Sequence, residues 1–65
     1  MIKVVMRFPN NIVLVFDNRG KQIPEYQEQY EGVKENILRD APPDAEFYRC
    51  FHGDTELKVV PREQW

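Results

Sequence analysis

Two adjacent prolines, Pro42 and Pro43, constrain this chain more than any other feature, because they close the only segment long and periodic enough to be a helix. Proline lacks an amide donor and pushes the residue before it out of the helical region, so a helix reaching this point stops near Asp40 or Ala41. Reading back from that stop, Tyr26, Tyr30, Val33, Ile37 and Ala41 fall within one narrow arc, with Leu38 on its flank. Glu25, Glu28, Glu31 and Glu35 collect on the far side, where water solvates them, and Glu35 is spaced to pair with Arg39 one turn later. The front end is softer. Pro24 followed by Glu25 suits a first turn, whereas Ile23 is a poor N-cap and Gly32 costs about 1 kcal/mol in a helix interior, so starts from Glu25 to Tyr30 all stay open.

An amphipathic helix needs a surface to lie on, and the flanking sequence supplies strands. Ile2 to Phe8 alternates Ile2, Val4, Met6 and Phe8 against Lys3, Val5 and Arg7, which predicts a first strand. Pro9, Asn10 and Asn11 form a turn, and Ile12 to Phe16 returns as a second strand in a hairpin. Asp17-Asn18-Arg19-Gly20 is a turn whose glycine sits where positive φ is wanted, and Lys21 to Ile23 adds a short edge. Beyond the prolines, Glu46 to Phe51 predicts a third strand, His52-Gly53-Asp54 a turn, and Glu56 to Val60 a fourth strand ended by Pro61. The expectation is a single small α+β domain over residues 1–65, ββαββ. One helix packs on one face of a small antiparallel or mixed sheet of about four strands.

One helix covers one side of a sheet, and both sides of this one are apolar. If Ile2, Val4, Met6, Phe8, Ile12, Leu14, Phe16, Leu57 and Val59 lie under the helix, then Val5, Val13, Val15 and Val60 point outward with nothing to cover them. The third strand offers two placements. Turning Arg49 outward avoids burying an unpaired guanidinium and carries Phe47 and Phe51 to the open side. Keeping both phenylalanines in the core requires Arg49 to escape at an edge or a bulge to correct the register. The burial cost favours the first. The expected interaction face is therefore Val5, Arg7, Val13, Val15, Phe47, Arg49, Phe51 and Lys58, an apolar patch rimmed by cations.

Two partners suit such a patch. A second copy of the chain, sheet against sheet, would also remedy the thin core of a 65-residue chain, which buries only about 60% of the surface its unfolded form exposes. Another protein would serve similarly. The alternative is single-stranded nucleic acid stacked on the phenylalanines, with phosphates held by Lys3, Arg7, Arg49 and Lys58. A net charge of −2 weighs against a polyanion as the main ligand. No stretch approaches membrane-spanning length, and Arg7 and Pro9 interrupt the apolar start, so a cytoplasmic location is expected.

Catalytic chemistry is poorly provided for. The chain contains no serine and no glycine-rich phosphate loop, and the helix glutamates lack the burial that would raise a carboxylate's pKa. Cys50, His52 and Asp54 are the only cluster with the composition of a metal or thiol site, and they lack a full ligand set, a positioned base and an oxyanion hole. A single cysteine also forms no internal disulfide. No enzyme activity, cofactor or metal is expected. Trp65 is expected to fold back on the sheet edge or the helix end.

Overall fold

The computed structural model describes all 65 residues. In chain order the elements are β1 (Ile2–Arg7), β2 (Val13–Asp17), α1 (Tyr30–Asp40), β3 (Glu46–Arg49) and β4 (Lys58–Val60). Single 3-10 turns lie at Pro24–Tyr26 and Arg62–Gln64. The sheet order is β2-β1-β3-β4. β1 runs antiparallel to β2 and parallel to β3, while β3 and β4 are antiparallel, so the sheet is mixed and the ββαββ order is as expected.

The helix keeps the stripe read from its sequence, since Val33, Ile37 and Ala41 are buried and Tyr30 and Leu38 pack beside them. It begins at Tyr30, the latest of the starts left open, and its last full residue is Asp40, as the following prolines require. Tyr26 stands apart on a 3-10 turn, yet it returns to the helix by donating its hydroxyl proton to Asp40 Oδ2 over 2.6 Å. Arg39 pairs with Asp40 rather than with Glu35.

The side of the sheet that α1 covers is the reverse of the one expected. Val5, Val13, Val15 and Phe47 are 0–2% exposed and form the core beneath the helix. Ile2 joins them because the β1–β2 register shifts between Ile2 and Val4, and this irregularity turns Ile2 from the Val4 face to the Val5 face. Of the nine residues expected under the helix, Ile2 is the only one that is buried.

The β1–β2 turn ties the hairpin to the helix. Asn11 sits at φ 65°, in the left-handed region that asparagine tolerates better than most residues. Its carbonyl accepts the Tyr30 amide over 2.7 Å, at the first residue of α1. Its side-chain oxygen accepts Arg7 Nε and Nη2, at 3.3 and 3.1 Å. The Asp17–Gly20 turn forms as read, with Gly20 at φ 79° and Asp17 Oδ1 accepting the amides of Arg19 and Lys21. Those two amides, Lys21 first, hold the Asp17 carboxyl below the usual carboxylate range.

Candidate interaction face

Strand register defines what lies on the side of the sheet away from α1. Leu14, Met6, Tyr48 and Val59 stand shoulder to shoulder across all four strands. Phe16, Val4 and Glu46 form the adjoining row. None of these seven side chains is buried, and Val59 is 67% exposed. Glu46 is the sole charge among them, and its Oε2 accepts the Tyr48 hydroxyl over 2.7 Å. That bond, with the neighbouring negative charge, raises the Tyr48 pKa. The face is apolar and nearly uncharged, with Val59 and Glu46 exposed and the other five side chains half-buried.

The residues expected to make this face are elsewhere. Val5, Val13, Val15 and Phe47 are core, and Val60 pairs with Phe47 on the helix side, where it is half-buried. Arg7, Arg49 and Lys58 share a row with Val13 on that same side, at the carboxyl ends of the parallel strands β1 and β3. Phe51 lies past the end of β3, 40% exposed, with the Arg49 guanidinium 4.7 Å from its ring centroid. Of the two placements weighed for β3, the structure follows the second in part: Phe47 is inside and Arg49 escapes at the sheet end, but Phe51 does not join the core.

The arginines avoid the burial penalty because the far end of the chain comes to meet them. Arg7 Nη1 donates to the main-chain oxygen of Trp65 over 2.7 Å, and its guanidinium lies 3.6 Å from the centroid of the Tyr30 ring. Desolvation, followed by repulsion from Arg49, lowers the Arg7 pKa. Arg49 Nη1 donates to the Gln64 carbonyl over 3.3 Å. Arg62 donates to the carbonyls of Ala41 and Pro42, which places a cation at the C-terminus of α1, where the helix dipole favours it. Trp65 is 3% exposed and packs edge-on against Tyr30 and Phe47, so it folds back as expected. Its Nε1 has no hydrogen-bond partner.

These placements scatter the residues named for the nucleic-acid alternative. Phe47 is under the helix, the three cations share the helix side, and Lys3 is engaged with Asp44 at 3.8 Å. Phe51 stays exposed with Arg49 against its ring, so one of the two rings keeps a cation beside it, at the end of the sheet rather than on the face opposite α1.

Cys50 is a half-buried free thiol whose Sγ lies 3.4 Å from the Asp54 carbonyl, and His52 is exposed in the turn. No three His, Cys, Asp or Glu side chains converge where a cation would sit. An open groove of about 510 Å³ beside the start of α1 is lined by Ile12, Gln27, Glu28, Gln29 and Gly32. Glu28 Oε2 lies 3.5 Å from where a Gly32 Cβ would stand, so negative charge already occupies the approach to the helix N-terminus. No helix is long and apolar enough to cross a membrane.

No protein-family model, curated protein or solved structure matches the chain.

Proposed function

We propose that this protein is a non-catalytic interaction module whose working surface is the sheet face opposite α1, and that a protein partner occupies it. The observation that supports this is the composition of two adjoining rows. Leu14, Met6, Tyr48 and Val59 lie beside Phe16 and Val4, a contiguous apolar patch with one charged side chain at its border. A sheet face left to water alternates to polar residues, whereas this face carries larger apolar side chains than the valine-lined face the chain uses for its own core. Patches of this kind on a globular protein mark sites of association. The chain's single thiol, in no disulfide, suits a reducing compartment, and the cytoplasm is the location that goes with this function.

Photo-crosslinking in living cells tests the assignment. A benzophenone amino acid replacing Tyr48 should trap a discrete protein adduct, while the same group replacing Glu35, on the water-facing side of α1, should not. Equal or absent labelling at the two positions would refute an interaction role for this face.

A further inference from the structure

We infer that the occupant of this face is a second copy of the same chain, packed sheet on sheet about a two-fold axis between the two layers, with Met6 near the axis. This rests on the reading of the face as an interaction surface and adds the partner's identity. Charge supports it first. An isologous contact sets a surface against itself, so like charges would meet and repel, yet the two rows hold only Glu46, at the end of its row and hydrogen-bonded to Tyr48. The cations that would attract an acidic partner are turned to the helix side, where Arg7 and Arg49 are engaged by main-chain oxygens.

Edge geometry narrows the choice of contact. The free edge of β2 is occupied by its own chain, through Ile23 N–H to the Val15 carbonyl at 2.8 Å and Val13 N–H to the Glu28 carbonyl at 3.2 Å. The other edge, β4, is three residues long, begins at a lysine and is followed by Pro61, all of which discourage strand addition. Copies of this chain are therefore left to meet face to face.

Area fixes the strength. Strands about 4.8 Å apart, with same-face residues about 6.7 Å apart along each, give the patch a projected footprint of roughly 250–400 Å². Counted on both copies, such a contact removes roughly 500–800 Å² from water, below the usual size of a stable specific interface. The dimer should be weak and fast-exchanging. It would also shelter apolar surface on a chain that buries only nine of its residues.

Sedimentation equilibrium on the full chain, from low micromolar to millimolar concentration, tests the inference, together with Met6→Lys and Met6→Glu. The wild type should pass from one-chain to two-chain mass across that range. Each variant alone should associate about tenfold or more weakly. An equimolar mixture of the two should recover association, because opposite charges then face each other near the axis. The emission of Trp65, the only tryptophan, reports that each variant keeps its core. A wild type that stays monomeric at millimolar concentration overturns the second-copy inference, and crosslinking at Tyr48 to a different protein would then leave the interaction role standing. A dimer indifferent to both Met6 variants overturns it as well, by placing the contact elsewhere on the molecule.

Discussion

The two faces of this sheet are built from the same class of residue and meet opposite fates. The inner face carries valines and Phe47 against Val33 and Ile37 of α1, and it also tolerates Arg7, Arg49 and Lys58. The outer face carries Met6, Leu14, Phe16 and Tyr48, all half-buried, with a single charge in its two rows, and α1 does not lie on it. Hydrophobicity alone would put the helix on the outer side. The folded chain instead packs α1 on the face of valines and Phe47, and the larger apolar groups stay half-buried on the other. Apolar composition thus measures a capacity to be buried, and it does not by itself say against what.

The sharpest way to break the comparison is to substitute one residue on each face. Phe47→Ala should cost about 3–5 kcal/mol in urea denaturation, comparable with the whole stability of roughly 3–10 kcal/mol expected for a chain of this size. Leu14→Lys, on the outer face, should move monomer stability by no more than about 1 kcal/mol while weakening association. Equal destabilisation by the two would mean that both faces belong to the core.

A smaller effect separates the faces at their shared turn. Asn11→Ala must hold positive φ without the asparagine side chain and also removes the acceptor for Arg7, so a loss of about 1–3 kcal/mol is expected. Asn11→Gly keeps the backbone conformation and should cost less. The reverse order would show that the left-handed backbone at this position contributes nothing, and would detach the turn from the orientation of the inner row.

The smallest effect lies off both faces. Asp17 is held low by the amides of Lys21 and Arg19, and Asp40 by its bonds to Arg39 and then Tyr26. A carboxyl with a depressed folded pKa binds fewer protons in the native than in the unfolded state. Its contribution is therefore full above about pH 4 and is lost as pH falls through the folded value. Asp40 is exposed and Asp17 only partly covered, so the thermal midpoint should fall only modestly below about pH 4, and the double variant Asp17→Asn, Asp40→Asn should flatten that slope. An unchanged slope would assign the acid sensitivity to other carboxyls.

Much of this molecule was legible in the residues. The prolines ended the helix where it ends, the Val33, Ile37 and Ala41 stripe is its buried side, and Asp17 to Gly20 is the turn its side chains dictate. The strands are shorter than the apolar runs because pairing, which the runs cannot show, stops at Arg7 and Arg49. The excess of apolar surface was legible too, since alternation sorted most strand residues into two sets before either set had a location. Ile2 escaped that sorting because a register irregularity is a property of two strands together. The outer face could have been suspected from its lack of charge, a signal outweighed by the cost assigned to an arginine under the helix.

Sequence alone determined the order of the main elements and, Ile2 apart, the membership of the two faces, because turns, helix breakers and a two-residue alternation are local and act within a few residues. Only the tertiary structure decided which face the helix covers, because alternation is unchanged when the two sides are exchanged. The inner side became habitable to arginine through oxygens supplied from the opposite end of the chain. Arg7 and Trp65 are 58 positions apart, and the hydrogen bond between them exists only once the chain has folded.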